Sequence, residues 1–375
     1  MPYRTAGGLR LDNGDYPQAL SQALGMVDLP ALRERQHRGE PDGRKLGIGF
    51  AIYTEQSGHG TAEWVKRKSR VVPGFETATI RMLPDGTVHL LVGIQSHGQG
   101  LETSLAQIAA QELGLDPSAI LVRHGDTALS PQGFGTFASR SIVFSAGAVA
   151  KASRALARKI KSIGAHLLQV PLDQVIVRGG AVHCGGANVA MKEIARAANI
   201  RPEMLPAGLG PGLDVTETYE PPESGGVFSY GVHAVTLLVH PVTGVTEIID
   251  YVVVEDCGTL VNPMIVDGQI IGGVAQGIGT ALYEEIPYSQ NGQPLATTFG
   301  DYMMPCASEI PAFRIKHMVT PAESTEFGVK GMGEGGAIAP PAAIANALND
   351  AFRGSGAKFL ETPMTPRRVS DAVAG

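Results

Sequence analysis

The segment PMIVDGQIIGGVAQGIGTAL, residues 263–282, sets a hard condition on the fold. Ile270, Val274, Ile278 and Leu282 recur every four residues, which predicts an apolar stripe on a helix over about 266–284. The other faces of that helix hold Gly272, Gly273, Gln276, Gly277 and Gly279. Each glycine costs a helix interior about 1 kcal/mol. So many together make sense where something packs directly against the helix backbone. A chain of 375 residues is also too long for one small core and suits two lobes.

The remaining periodicities alternate between two and nearly four. TATIRMLPDGTVHLLVG (77–93) predicts a hairpin around Pro84, Asp85 and Gly86, VIVRGGAVHCGG (175–186) a second, and VHAVTLLVHPVTGVTEIIDYVVVEDCG (232–258) a long third that turns at 241–244. Helical spacing predicts helices over 101–113 and 141–168, and a last one from Pro340-Pro341, since proline suits a first turn. Hairpins outnumber βαβ patterns, so the expected class is α+β. Residues 1–44 read as a helical connecting segment without a core of its own, with Leu20, Leu24 and Val27 as its apolar positions. The Pro/Gly-rich stretch 199–215 suggests a boundary, giving a first lobe over 45–212 and a second over 213–375.

A net charge of −6 argues against a nucleic-acid binder. The basic residues Lys151, Arg154, Arg158, Lys159 and Lys161 share a predicted helix and read as a solvated face. Cys184, Cys257 and Cys306 form no CxxC pair, which argues against a disulfide framework, a structural zinc site or a self-contained iron–sulfur site. No apolar stretch reaches membrane-spanning length and no signal-peptide core is visible, so the cytoplasm is the expected setting.

Three stretches place glycines beside a lone polar side chain. QSHGQGLETS (95–104) and GFGTFASRS (133–141) each open a predicted helix, where bare N–H groups suit an anion such as a phosphate. Gln99 can donate and accept there; Thr136, Ser139 and Ser141 bring hydroxyls, and Arg140 a cation. In GVKGMGEGGAIAPP, Glu334 is a single acid among glycines. With little water and no cation beside it, such a carboxylate would be a proton acceptor. The plainer alternatives are a helix cap or an exposed loop acid. His97 and His124 have no second metal-type ligand at suitable spacing, and Cys257 reads as a buried thiol.

Four segments together resemble the molybdenum hydroxylases, the xanthine dehydrogenase, aldehyde oxidase and carbon monoxide dehydrogenase family. They are SHGQGLETSLAQIAAQELGL, HGDTALSPQGFGTFASRS, DCGTLVNPMIVDGQIIGGVAQGIGTALYEE and GVKGMGEGGAIAPPAAIANALNDA, in the family's order. The resemblance implies a two-lobed molybdopterin-binding domain with mixed sheets and packed helices. It implies a molybdenum–molybdopterin cofactor in its cytosine dinucleotide form, the metal held by the pterin dithiolene and not by protein ligands. Gly98, Gln99 and Gly100 match one cofactor loop, and Thr136, Ala138, Ser139 and Ser141 a second. Gln276 and Gly333 match further cofactor contacts, and Glu334 matches the catalytic base of a hydroxylation in which water supplies the oxygen.

The match is to the C-terminal half of a family large subunit. The expected partners are therefore the N-terminal molybdopterin half on a separate chain and an iron–sulfur subunit, with a flavin subunit as a further candidate. Iron–sulfur clusters and FAD would sit on those chains. Alternatively, the sequence is a fragment of a longer subunit. Aldehydes, purines, N-heteroaromatics and carbon monoxide all stay open as substrates. A non-catalytic interaction subunit with a vestigial cofactor site is the competing reading, and a phosphate-binding enzyme outside the family a third.

Overall fold

The computed structural model describes residues 1–223 and 225–375, and the fold is α+β, built on two four-stranded sheets. The first sheet holds β4 (Glu76–Met82), β5 (Val88–Val92), β6 (Ile120–Arg123) and β10 (Asp214–Tyr219) in the order β10-β4-β5-β6. Its pairs are antiparallel except β5/β6, whose parallel crossover is α4 (Leu101–Leu113). The long α5 (Ser141–Leu168) packs beside α4, and both bury their stripes on Ile80, Val88 and Leu90. A small sheet of β7 (Ile176–Arg178), β8 (Ala181–Cys184) and β9 (Ala187–Ala190), with α6 (Met191–Ile200), closes the far end of this core.

The second sheet runs β13-β12-β11-β3, from β3 (Lys45–Ser57), β11 (Val227–Val239), β12 (Thr246–Asp256) and β13 (Phe313–Met318). Every residue of β11 is buried, because both of its faces are covered. Val235, Leu237 and Val239 meet α7 (Pro263–Leu282) and α9 (Pro340–Ala351). Tyr230, Val232 and Ala234 meet α1 (Tyr16–Met26). The remaining elements are the ribbon β1 (Tyr3–Arg4) and β2 (Arg10–Leu11), then α2 (Leu29–Arg38), α3 (Thr61–Lys66), α8 (Gly335–Ile338) and α10 (Pro366–Ala374). Among the described residues no helix is long and apolar enough to cross a membrane.

The glycines of α7 have the explanation the sequence asked for. A Cβ on Gly273 would lie 2.8 Å from the Cα of Gly336, and one on Gly277 would lie 2.5 Å from Pro340 Cγ. The backbone of α7 thus lies directly against the segment that follows Glu334. Gly272 meets nothing within 4 Å, and packing does not explain it. The helix starts at Pro263, earlier than its stripe suggests, because Asn262 caps it by accepting the Ile265 N–H at 3.3 Å.

Two expectations need correction. A division at 212/213 does not separate the two sheets. β3 pairs with β11 along its whole length, from Lys45 opposite Val239 to Ser57 opposite Val227, so it belongs to the second sheet. Strand β10 in turn belongs to the first. In α1 the buried stripe is Ala19, Ala23 and Val27, while Leu24 is exposed. The stripe is turned because the small alanines allow α1 close to the sheet.

Candidate active site

Four loops meet where the two layers join. They are the lead-ins to α4 (95–100), α5 (133–140) and α7 (257–262), and the segment 330–334. Between them lies a cavity of about 300 Å³.

The 330 segment is held by contacts remote in sequence. The Lys330 N–H donates to Cys257 O at 2.9 Å, and the Gly331 N–H donates to Ser57 Oγ at 3.0 Å. The Lys330 ammonium is fully buried and finds three acceptors: Asn13 Oδ1 at 2.7 Å, Asp256 Oδ1 at 3.2 Å and Thr320 Oγ1 at 3.2 Å. All three of its donors are thereby used. A Cβ on Gly331 would sit 2.0 Å from Ser139 O, so only glycine lets the second loop come this close. The result is a direct link: the Ser139 hydroxyl donates to Glu334 Oε2 at 3.0 Å and accepts the Glu334 N–H at 3.1 Å.

Glu334 occupies the cap position of α8, but its side chain makes no cap bond and turns to Ser139 instead. Its expected shelter from water is not found in this chain: Glu334 and Gly333 are exposed at the cavity rim. The flanking glycines have no side chains to cover it.

The Ser139 loop carries backbone strain. Ala138 and Ser139 have φ of 49° and 50°, a left-handed pair that costs about 1–3 kcal/mol per residue. A buried ion pair holds the loop. Glu76 accepts the N–H groups of Phe134 and Gly135 at 2.9 and 3.2 Å, and it pairs with Arg140, which also donates to Gly135 O at 2.9 Å. Arg140 was expected to offer its charge to a ligand. It is instead fully buried beneath the loop, because Glu76 neutralises it there. Ser141 Oγ donates to Thr136 Oγ1 at 2.9 Å, and Thr136 Oγ1 to Gln95 O.

On the third side, Gln99 accepts the His97 N–H at 2.7 Å, while its Nε2 is buried without a partner. Gly98 and Gly100 flank it at φ of 103° and 74°. Neither α4 nor α5 has a side-chain cap on its first N–H groups.

Of the residues singled out in the sequence, Gln99, Thr136, Ala138, Ser139, Ser141, Gly333 and Glu334 line the cavity. Gly98 and Gly100 flank Gln99 but do not themselves line the cavity. Gln276 does not reach it: this residue is exposed farther along α7, and Gln269 of the same helix lines the cavity instead. His97 also lines it, whereas His124 pairs with Glu102 at 2.9 Å. Cys257 is a buried thiol whose ionisation is pushed well up by burial, with Glu255 and Asp256 adding to the effect.

Sequence reasoning missed Glu55. In β3 the inward positions are Tyr53, Glu55 and Ser57, so an acid at an inward place in a strand was the available signal. Glu55 is 8 % exposed; its Oε2 accepts from Ser229 Oγ at 3.3 Å and its Oε1 has no partner. Burial raises its pKa to about 7, Ser139 and Ser229 oppose the rise, and the Glu334 charge adds to it. His59 is also buried, its ring nitrogens have no hydrogen-bond partner, and burial lowers its pKa from the ordinary histidine value.

A carboxyl raised in the folded state stabilises the fold below its unfolded value near 4.5, and that contribution fades as pH rises through about 7. The expected fall is about 3 kcal/mol. Denaturant midpoints at about pH 5 and about pH 8 should show this fall in the native chain and not in Glu55→Gln. An equal fall in both would refute the assignment.

Comparison with known proteins gives a consistent set. A family model described as molybdopterin cofactor-binding domain matches residues 22–311. The chain is 36% identical to the nicotine 6-hydroxylase large subunit of Paenarthrobacter nicotinovorans, over 100% of this chain and 46% of that one. It is 35% identical to the carbon monoxide dehydrogenase large chain of Hydrogenophaga pseudoflava, over 98% of this chain and 46% of that one. The crystal structure of quinoline 2-oxidoreductase from Pseudomonas putida 86 superposes with a TM-score of 0.91 at 35% identity, covering 100% of this chain and 47% of that chain. The chain thus spans about half the length of the relatives it matches.

Proposed function

The chain belongs to the molybdopterin cofactor-binding domain family, and from that premise we propose that it is the C-terminal cofactor-binding half of a molybdenum hydroxylase. It would act with partner chains in the cytoplasm, its cofactor in the cytosine dinucleotide form. The N-terminal half, an iron–sulfur chain and a flavin chain would complete the enzyme. An aldehyde, a purine or an N-heteroaromatic compound would be the substrate.

The observation that carries this reading is the unpartnered Gln99 Nε2, buried beside two helix starts whose N–H groups have no side-chain cap. A donor buried without an acceptor is costly, and an anionic ligand in the cavity relieves the cost. The donor set therefore fits a phosphate-bearing cofactor. Gln99, the N–H groups at the start of α4 and the hydroxyls of Thr136, Ser139 and Ser141 would hold it. The bound cofactor would supply two-electron redox chemistry. Glu334 would take a proton at its carboxylate, which Ser139 holds at the cavity rim. Its exposure fits an open half-site that a second chain would cover and dry.

Gln99→Ala with Ser139→Ala removes two polar contacts of about 1 kcal/mol each, and should weaken cofactor retention about ten- to a hundred-fold. Molybdenum content after gel filtration is the readout. An unchanged load in the double variant would remove these residues from the cofactor site.

A further inference from the structure

Two apolar stripes of the second sheet end in charged residues under the same helix. β12 and β13 run parallel, with Tyr251 opposite Phe313, Val253 opposite Ile315 and Glu255 opposite His317. The first two pairs pack into the core beneath Ile270, Val274 and Ile278 of α7. The third meets a charge from that helix. His317 Nδ1 contacts Glu255 Oε1, and His317 Nε2 lies 2.9 Å from Oδ1 of Asp267, in the second turn of α7. The Glu255 side chain is fully buried, with Oε2 unpartnered, whereas the Asp267 side chain is 46 % exposed. One imidazole therefore bridges a carboxylate that cannot reach water and one that can.

We propose that His317 is a positioning residue of the cavity: doubly protonated, it fastens the first turns of α7 to the sheet, and on losing a proton it releases them. Carboxylates only accept, so a ring that faces two of them needs a hydrogen on each nitrogen. Loss of one proton leaves a single N–H for two acceptors. That N–H stays on Nδ1, because Glu255 is buried and has no other donor on its contacting oxygen. Nε2 then turns a lone pair to Asp267, which swings out to water. The bond that breaks is the one to α7. Asn262, Ile265, Val266 and Gln269, on either side of Asp267, are cavity-lining residues, while His317 is not and acts through Asp267. The bearing on the cofactor rests on the proposed function above; the anchor itself does not.

The surroundings set the direction of the switch. Among the described residues, the charges acting on His317 are Glu255 of β12 and Asp267 of α7. The hydrogen bond to Glu255 raises the histidine above its ordinary value, burial opposes the rise, and the two charges add to it. Burial pushes Glu255 towards its acid form, and His317 opposes that. Asp256 and the Cys257 thiol also act on Glu255, and Asp256 is itself taken up by Lys330 and Thr320. From β3, the buried Tyr53 hydroxyl faces Glu255. On β13 itself Arg314 is paired with Asp250, and Lys316 is exposed. A histidine raised in the folded state holds its contribution in full below the ordinary value of 6.5 and loses it as pH rises through the raised one. The anchor thus lets go on the alkaline side.

The test uses the full chain first, by hydrogen exchange of the amides in 263–270, read as protection factors at about pH 6 and about pH 9. Protection in the native chain should fall about ten-fold at the higher pH. Asp267→Asn should stay protected at both, because its amide can offer oxygen to an N–H or N–H to a lone pair. Asp267→Ala should be poorly protected at both. No fall in the native chain, or an equal fall in Asp267→Asn, overturns the proposal. The His317 ring signal, assigned by its loss in His317→Gln, should titrate above the ordinary histidine value and move down in Asp267→Asn; a midpoint at or below that value contradicts the anchor. In the assembled enzyme, molybdenum release should quicken about ten-fold over the same pH range, and should not quicken in Asp267→Asn. Equal quickening in both would sink the positioning role. An enzyme purified without molybdenum would sink the proposed function and leave the exchange result to decide the anchor.

Discussion

Glu334→Gln is expected to cut turnover of the assembled enzyme by about 10²–10⁴-fold while leaving fold and cofactor content in place. Glutamine keeps the length of the side chain, and its amide oxygen can still accept from Ser139 Oγ. What it loses is the ability to hold a proton. The geometry around position 334 is set by backbone bonds to Cys257, Ser57 and Ser139, none of which involves the carboxylate. A large kinetic effect with an unaltered melting curve thus separates a base from a structural acid. Near-normal turnover would contradict the role.

The second large effect is on stability. Lys330→Met should destabilise the chain by about 3–5 kcal/mol, because it leaves Asp256 as an uncompensated buried charge. Asn13 Oδ1 also loses its donor. The side chain that replaces Lys330 fills the same space, so the loss reports the ion and not a cavity. Asp256 would keep its bonds from Gly258 N at 3.0 Å and from Thr320 N and Oγ1, both at 2.7 Å, which softens the effect. Denaturant midpoints measure it. A loss below about 1 kcal/mol would place the pair with surface bridges in its energetics. Adding Asp256→Asn should recover part of the loss, since both charges are then gone.

The sequence made the regular elements readable because their periods are clean. The helices at 101–113 and 141–168 end where their stripes end, and the glycines of α7 announced a close backbone neighbour before it could be seen. The lobe boundary was not readable, because strand pairing is non-local: nothing within β3 says that its partner lies far along the chain at β11. The same holds for Lys330. Its charge looks like any surface lysine until Asn13, Asp256 and Thr320 are brought around it. The loop residues Gln99, Ser139 and Glu334 stood out because glycines isolate them. Glu55 did not, since a strand surrounds it. Arg140 was misplaced for a related reason: a cation beside serines suggests a ligand, and only Glu76 from another strand shows that its charge is already matched.

Whether this chain holds the cofactor separates the two readings of its function. The competing interaction subunit would share its fold, its cavity and its partners, and would differ in content alone. The most direct measurement is the molybdenum and cytosine nucleotide content of the chain, purified with its partner chains from a host that makes the cofactor. Molybdenum and nucleotide equimolar with the chain is the expected result. A folded, partner-bound chain that carries neither would contradict it.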